Sequence, residues 1–330
     1  MGSGLARMST NRVEASAPGK LVLCGEYAVL AGAKALVAAV NRRVVCTVER
    51  RNEADWSFKT MGYFFQSSHT IEELSGDLPD DDPARFIMHL STPTALPRHA
   101  AVTIDSSSFY RQKQKLGIGS SAAVTVALGS ALAALNEHKL DLKQLQQAHR
   151  SFQGDLGSGL DVAAAYRGGI IRYQNNQAEP VGLDPNLQYR FVFTGESTQT
   201  SPMIARFNRW RGETTPSSLA ALISIADAVV EASPNANAFM SCIQDYIDAL
   251  LRLDQDAHIG IFGPGHQAAM GLAQRHRVLY KPCGAGGGDM GIAFSTEDDA
   301  LAKFQRDVEE QGLKVIQLEI SDDGVRVRTG

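Results

Sequence analysis

The sequence of 330 residues is poor in the residues that build disulfides and zinc sites. It has four cysteines, at positions 24, 46, 242 and 283, and no two of them form a CxxC pair. Cysteine and histidine do not cluster at the spacing of a zinc site either. This scarcity argues against a disulfide-stabilised secreted domain, and it predicts a cytoplasmic protein with reduced thiols.

Long apolar runs and a surplus of positive charge are also missing. No segment has the 18 or so continuous apolar residues that a membrane span requires, and the opening MGSGLARMST lacks the apolar stretch of a signal peptide. The formal net charge is −4, so the composition does not favour nucleic acid or a membrane surface as the partner. We therefore expect a small-molecule substrate, which local basic groups must hold if it is anionic. Monomer and homodimer both stay open.

The length is sufficient for two domains. A polar stretch with two prolines, NNQAEPVGLDPN, marks the boundary and predicts domains at 11–185 and 186–330. Apolar periodicity predicts helices at 119–136, 140–154, 263–276 and 298–313, with a further helical region at 215–257. Short apolar runs predict strands at 21–24, 44–49, 170–173, 189–195 and 314–320. Residues 51–113 are predicted to be mostly irregular, with one strand in AAVTIDSS at 100–107.

The stretch KLGIGSSAAVTVALGSAL, residues 115–132, has little side-chain volume where a helix should begin. Gly117 and Gly119 allow backbone angles that other residues resist. Ser120 and Ser121 would start the helix as capping residues, where free N–H groups point outward and bind anions such as phosphate. The alternative is an ordinary turn before a tightly packed helix. The order of residues matches neither the Walker A pattern nor GxGxxG.

A second glycine cluster lies in CGAGGGD, at residues 284–288. Each glycine costs about 0.5–1 kcal/mol relative to alanine in a regular element, so four in five positions suggest a close approach to the backbone. The apolar flanks VLYKPC and MGIAF favour a loop near the core over the alternative, a surface linker.

Two further stretches hold charged candidates. Lys20 follows Pro-Gly at the start of an apolar strand in SAPGKLVLCGEY, and Glu26 follows in the same stretch. Either could be an ordinary surface charge. Asp161 enters an alanine-rich helix from the turn in GDLGSGLDVAAAYRGG. It could be a buried acid or base, or a first-turn carboxylate that the helix dipole favours.

Together these stretches resemble the GHMP kinase superfamily, which includes galactokinase, homoserine kinase, mevalonate kinase and phosphomevalonate kinase. APGKLVLCGEYAVL is similar to its first motif, GIGSSAAVTVAL to its second and KPCGAGGGDMGIAF to its third, in the same order. The phosphomevalonate kinase family is the most similar, because it tends to have a lysine before the loop, as Lys115 is here. GSGLDVAAAYRGG and the Ser/Thr-rich FTGESTQTSPMIARFNRW also resemble that family.

The resemblance implies an α+β, two-domain GHMP kinase fold, with an N-terminal ribosomal-protein-like sandwich and a C-terminal ferredoxin-like domain. It implies ATP with its phosphates on the second motif, and Mg²⁺ as cofactor. The residues expected to bind the nucleotide phosphates are Gly117, Gly119, Ser120, Ser121 and Ala122. The residues expected to hold the metal are Ser121 and Asp155, the latter in FQGD.

The resemblance also assigns catalysis and acceptor binding. The expected catalytic residues are Lys20, Asp161 and Lys115, with Lys20 and Asp161 forming a pair at the acceptor. The expected acceptor-binding residues are Glu26, Tyr27, Ser158, Ser201, Gly286 and Gly287. Arg206 and Arg209 are further candidates for an acceptor phosphate.

The reaction expected from the resemblance is transfer of phosphate from ATP to 5-phosphomevalonate, giving 5-diphosphomevalonate in the mevalonate and isoprenoid pathway. Mevalonate kinase or another hydroxyl kinase, for a sugar or homoserine, is the alternative within the superfamily. The segment GSGLD stands where mevalonate kinases more often have Pro-Ser-Gly, which argues against mevalonate as the acceptor. A non-catalytic ATP-binding regulator of this fold is the alternative outside enzymes.

Overall fold

A computed structural model describes residues 11–52, 55–62, 65–76, 78–79, 82–90, 96–154, 157–213 and 215–330. In this part of the chain two β-sheets form the framework, and helices pack against them. The first sheet follows the order β14-β1-β2-β5-β3-β4, with β8 and β9 branching from β2. Its strands are β1 (Arg12–Cys24), β2 (Ala35–Arg50), β3 (Trp56–Met61), β4 (Phe65–His69), β5 (Ala100–Asp105), β8 (Ile170–Gln174), β9 (Gln177–Pro180) and β14 (Arg326–Thr329).

Strand β1 changes character along its length. Burial alternates from residue 12 to 17, as expected where one face meets solvent, and then becomes almost continuous. Within 17–24, Lys20 alone is not fully buried. The helices that cover this part of the sheet include α2 (Ser120–Leu135) and α4 (Leu160–Arg167), both in contact with β1. A lysine in this strand is therefore held in a fixed place, with its side chain directed out of the core.

Helix α2 is made of small residues because its neighbours lie close on several sides. A Cβ added at Gly129 would lie 2.8 Å from a methyl carbon of Leu145 and 2.9 Å from one of Leu90. Those leucines belong to α3 (Leu142–Phe152) and α1 (Arg85–Leu90). The short hairpin of β6 (Tyr110–Arg111) and β7 (Gln114–Lys115) leads into α2.

The second sheet is antiparallel, in the order β11-β12-β10-β13. Its strands are β10 (Gln188–Phe193), β11 (Leu279–Pro282), β12 (Met290–Ser295) and β13 (Lys314–Ile316). Helices α8 (Pro264–Arg275) and α9 (Asp298–Glu310) pack on this sheet. The remaining helices of this half are α5 (Thr200–Arg211), α6 (Ser217–Ala232) and α7 (Ala236–Ala257).

The chain then returns to the first sheet, where β14 pairs antiparallel with β1. The N–H of Gly330 also donates to the carbonyl oxygen of Arg12 at 3.1 Å. The boundary predicted at 185/186 places this strand in the second domain, but residues 326–329 are part of the first sheet. All four are exposed, so they lack the apolar alternation that would have indicated a strand.

The predicted helices and the strands predicted at 170–173 and 189–195 lie within a few residues of the observed bounds. The strands predicted at 21–24 and 44–49 are only the ends of the longer strands β1 and β2. Three further differences follow. The predicted strand 314–320 is regular only over Lys314–Ile316. The helical region 215–257 is two helices, which separate at residues 233–235. Residues 51–113 are more regular than predicted, because β3, β4 and α1 form there in addition to the predicted strand at 100–105.

Candidate active site

A cleft opens at the N-terminal end of α2, between the first sheet and the loops of the second half of the chain. The residues that line it include Lys20, Lys115, Ser121, Asp161 and Asp289. These five come from β1, β7, α2, α4 and the loop before β12. The fold thus gathers side chains from both halves of the sequence around one space.

The loop before α2 presents its backbone to this cleft. Gly117 and Gly119 have φ angles of 70° and 81°, in the left-handed region that favours glycine. Gly119, and not a serine, is the N-cap of α2, and no side chain caps the helix. The serines are therefore not caps as predicted, and Ser120 and Ser121 turn to the cleft instead. An uncapped helix start with a positive dipole end suits an anion.

Two cleft side chains explain why this loop needs glycine. A Cβ at Gly117 would lie 2.3 Å from Cγ of Asp289, and a Cβ at Gly119 would lie 3.1 Å from carbons of Lys20. The backbone N–H of Lys20 donates to the carbonyl oxygen of Ile118 at 2.8 Å, which ties the loop to β1. The loop is bare so that Lys20 and Asp289 can lie against it.

Lys20 lies between the two glycine loops. Its side chain passes over Gly119, and its Nζ is 3.9 Å from the position that a Cβ on Gly284 would take. The expected pair with Asp161 is not formed, since the two do not make an ion pair within 4.0 Å. Asp161 instead accepts from the N–H of Val162 at 2.9 Å and lies 3.9 Å from Nδ1 of His149. It sits in the first turn of α4, on the side that faces α3.

His149 on α3 is a site residue that the sequence reasoning missed. Its side chain is 1% exposed, and its Nε2 lies 3.1 Å from Oγ of Ser121. Burial lowers the pKa of the ring, the carboxylate of Asp161 opposes this, and Lys20 reinforces it. The only signal in the sequence was a histidine on the apolar side of the predicted helix 140–154, which is also typical of an ordinary core residue.

Asp289 is the second missed residue. Burial raises its pKa to about 6, although Lys115 and Lys20 act to lower it. Its Oδ1 is buried and has no hydrogen-bond partner, and its backbone φ is 57°. The carboxyl group can therefore take up or release a proton near neutral pH. Its position directly after the glycines was visible, but its approach to Gly117 is a tertiary contact.

Lys115 ends the short hairpin strand β7 and reaches the same cleft. Removal of its ammonium group from water lowers its pKa, while the charge of Asp289 opposes the change. Lys20 and Lys115 thus bring two cationic groups to one cleft, where both act on the carboxyl group of Asp289.

Glu26 and Tyr27 line the cleft as predicted, but Glu26 is held in a buried network. Its Oε1 lies 2.5 Å from Nζ of Lys281, and its Oε2 accepts from the hydroxyl of Tyr246 at 2.8 Å. Burial by itself would lower the pKa of Lys281, yet Glu26 outweighs it and the pKa is raised. The hydroxyl of Tyr27 donates to the carbonyl oxygen of Ala285 at 2.6 Å. These contacts join the first strand to the second glycine loop.

The other predicted residues divide between the cleft and its surroundings. Ser158 lines the cleft, and its carbonyl oxygen accepts from the hydroxyl of Tyr173 at 2.5 Å. Gly286 and Gly287 pack on other chain segments and do not line it. Ala122 is buried in α2 behind the loop, and Ser201 is exposed in the first turn of α5.

Two arginines and one aspartate complete the account. Arg206 and Arg209 lie exposed on α5, where Arg206 donates to the carbonyl oxygen of Ile259 at 3.2 Å. Asp155, one of the two predicted metal ligands, lies outside the described residues. The described residues contain no group of three or more His, Cys, Asp or Glu side chains arranged for a metal. A magnesium ion needs only one or two protein oxygens when phosphates supply the others, and the cleft-facing hydroxyl of Ser121 is such a donor.

Comparison with known proteins shows which families this chain is similar to. Residues 90–169, which include the bare loop, α2 and Asp161, match the family described as GHMP kinases N terminal domain. A phosphomevalonate kinase of Streptomyces sp. is 28% identical over 84% of this chain and 88% of its own length. The cow mevalonate kinase is 26% identical over 95% of this chain and 94% of its own.

The chain therefore resembles the GHMP kinase superfamily, and residues 90–169 match its N-terminal domain. Its fold is the α+β fold of those kinases, as predicted. A solved structure of Streptococcus pneumoniae phosphomevalonate kinase in complex with phosphomevalonate and AMPPNP superposes with a TM-score of 0.77, at 20% identity, over 93% of this chain and 99% of that one. In the described residues of this chain, no helix has the length and apolar character to cross a membrane.

Proposed function

We propose that this chain uses ATP to phosphorylate 5-phosphomevalonate, forming 5-diphosphomevalonate and ADP. The observation that carries the proposal is the pair of lysines in one cleft with an uncapped helix start: Lys20, Lys115 and the N-terminus of α2. Two phosphate-bearing molecules that react with each other need such a concentration of positive charge. The phosphomevalonate kinases among the relatives support the same acceptor.

The donor side is the loop at 117–121. Its backbone N–H groups and the end of the α2 dipole offer fixed positive charge to the β- and γ-phosphates of ATP. Because these groups belong to a packed helix, they need little rearrangement when the phosphates arrive. Ser121 would hold Mg²⁺, which supplies charge neutralisation between the β- and γ-phosphates when it is bound.

The acceptor side is formed by Lys20 and Lys115. A phosphate oxygen of the acceptor attacks the γ-phosphorus, the bond to the bridging oxygen of ATP breaks, and ADP leaves with that oxygen. The attacking oxygen is already anionic, so a strong general base is not needed. Lys20 and Lys115 offset the repulsion between the two phosphates, and the loss of one such contact costs on the order of 10²–10³ in rate.

Mevalonate is the second candidate acceptor, because several relatives are mevalonate kinases that match over almost the whole chain. An alcohol needs a base close to its hydroxyl, and Asp161 is the carboxylate placed for it on α4. The position of Lys115 favours the phosphorylated acceptor over the free alcohol. A regulator that only binds ATP has no use for two lysines at the acceptor end.

The test is a panel of acceptors with ATP and Mg²⁺, namely 5-phosphomevalonate, mevalonate, galactose and homoserine. We expect ADP release with 5-phosphomevalonate, and phosphorus NMR should show a new phosphoanhydride. Turnover of mevalonate without turnover of its 5-phosphate would contradict the proposal. Binding of ATP without transfer to any acceptor would point to the regulator.

One pair of variants makes the panel sharper. Lys115→Met should raise the KM for 5-phosphomevalonate at least tenfold and leave any turnover of mevalonate unchanged, because only the former brings a phosphate to this ammonium group. Lys113→Met, on the same hairpin with an exposed side chain, is the matched control and should behave as the wild type. Equal effects of Lys115→Met on both acceptors would count against the assigned role.

A further inference from the structure

His149 is a buried side chain that faces two cleft residues from behind. It belongs to α3, whereas Ser121 belongs to α2 and Asp161 to α4. Its Nε2 lies 3.1 Å from Oγ of Ser121, and its Nδ1 lies 3.9 Å from Oδ1 of Asp161. No other residue of the described chain forms a side-chain contact of this kind with both the phosphate loop and the α4 carboxylate.

We infer that His149 is a positioning residue that sets the direction of the Ser121 hydroxyl and the orientation of the Asp161 carboxylate in the cleft. The inference rests on the proposed function, because it assigns Ser121 and Asp161 to the donor and acceptor sides of a kinase. It adds a residue outside the cleft, contributed by a third helix.

The chemistry of the two partners fixes the tautomer. The carboxylate of Asp161 is 3.9 Å from Nδ1, beyond direct hydrogen-bond distance, and its negative charge favours the ring proton on Nδ1 by electrostatic attraction. Nε2 then carries the lone pair and accepts the hydroxyl proton of Ser121. This directs the lone pairs of the serine oxygen away from the ring and toward the cleft, where a cation or a phosphate-bound water can meet them. In the opposite tautomer the serine oxygen accepts from the ring, and one of its two lone pairs is no longer available to the cleft.

The same geometry also holds the ring of His149 in place on α3. The ring is held by its hydrogen bond to Ser121 at Nε2, and the charge of Asp161 near Nδ1 opposes rotation of the ring. The Phe152 ring lies one turn further on, stacked at 6.5 Å between ring centroids. The position of Ser121 relative to Asp161 therefore depends on a rigid group between their two helices.

The first test is independent of catalysis. Nitrogen-15 shifts of the His149 ring in the intact protein should report the proton on Nδ1. Asp161→Asn should reduce this preference, and Ser121→Ala should shift the Nε2 resonance. The proton on Nε2 in the wild type, or a ring indifferent to both substitutions, would overturn the inference. This readout remains valid even if 5-phosphomevalonate is not the acceptor.

The second test separates the two contacts. The amide of His149→Gln reaches the place of Nε2 and can keep the contact with Ser121, while that of His149→Asn reaches the place of Nδ1 and loses it. We expect kcat to fall about 10–100-fold in His149→Asn and in His149→Phe, and less in His149→Gln, with the KM of the acceptor changed by less than threefold in each. The concentration of Mg²⁺ for half-maximal rate should rise in the same order.

A control on the same helix distinguishes positioning from packing. Leu145→Ala removes a buried side chain of α3 that touches no cleft group, so it should lower the melting temperature and leave kcat unchanged. If kcat in the His149 variants follows their melting temperatures, as a packing role would require, the inference is wrong. A loss of kcat at unchanged melting temperature supports it.

Discussion

The two glycine-rich loops of this protein use glycine for different reasons. In the loop at 117–121, an added Cβ would collide with Asp289 at Gly117 and would crowd the side chain of Lys20 at Gly119. In the loop at 284–288, an added Cβ at Gly286 would lie 2.4 Å from the carbonyl oxygen of Ile261, which is part of the packing of the second half. Only Gly284 faces Lys20 with space to spare. The glycines of the first loop allow cleft side chains to approach its backbone. Most glycines of the second loop allow other chain segments to pack closely against it.

Because of this difference, substitutions in the two loops should affect different properties of the protein. Substitutions that disturb the first loop and its side chains should alter turnover with small effects on folding. Substitutions in the second loop should mainly alter folding. Lys20 is the exception that links the loops, because its side-chain carbons lie against Gly119 and its ammonium nitrogen faces Gly284.

The largest expected effect belongs to that link. Lys20→Met should reduce kcat by about 10³-fold or more, since it removes the charge that lies between donor and acceptor, with little change in ATP affinity. Steady-state kinetics and calorimetric titration of ATP measure the two quantities. Lys113→Met on the exposed hairpin is the control. An unchanged kcat would remove Lys20 from the mechanism and would leave the two loops without a shared residue.

The next prediction contrasts two positions of the second loop. Gly286→Ala should lower the free energy of unfolding by about 2–4 kcal/mol, because it adds left-handed strain at φ 78° to a collision with backbone. Gly284→Ala carries similar strain at φ 72° without the collision, so it should lose only about 1 kcal/mol. Denaturant titration gives both values. Equal losses would mean that Gly286 is not a packing glycine.

The smallest effect concerns Asp289, the side chain that lies on the first loop. Burial holds its pKa at about 6, above the ordinary 3.8, so the folded state keeps the proton that the unfolded state has lost. The carboxyl group therefore reduces stability as pH rises through this window, and the reduction is complete above the folded pKa. Asp289→Asn removes this effect. The free energy of unfolding of the variant relative to wild type should therefore be about 1 kcal/mol higher at pH 8 than at pH 5.

Thermal or denaturant unfolding at the two pH values measures this gain. Asp105→Asn, on an aspartate of β5 away from the cleft, is the matched control variant. A gain of the same size at both pH values would mean that Asp289 is ionised throughout the range.

The sequence was sufficient for the fold and for the groups inside the motifs. Lys20, Ser121 and Asp161 come from three separate motifs, and all three line the cleft. Their roles stay predictions. Helix α2 was predictable because its residues form a continuous run of small apolar side chains that are mostly buried, whereas the apolar runs in β1 and β2 indicated only the ends of those strands.

What the sequence did not indicate depends on contacts between distant segments. In the sequence, His149 looked like a core residue. A histidine on the apolar side of a helix gives the same pattern whether it is only buried in the core or also contacts Ser121. Lys281 and Tyr246 lie far from Glu26 in sequence, so the network that holds Glu26 could not be read from its own motif. The expected pair of Lys20 with Asp161 failed for the same reason, since α4 turns its carboxylate toward α3.

The pairing of β14 with β1 joins residues from opposite ends of the printed sequence. Contacts of such long range form slowly, because a long chain segment has to be closed before they can contribute. The edge of β1, the strand that carries Lys20, should stay open in early folding intermediates and should be covered among the last events. An open strand edge is a site of intermolecular pairing. Refolding yield should therefore fall steeply as the protein concentration rises.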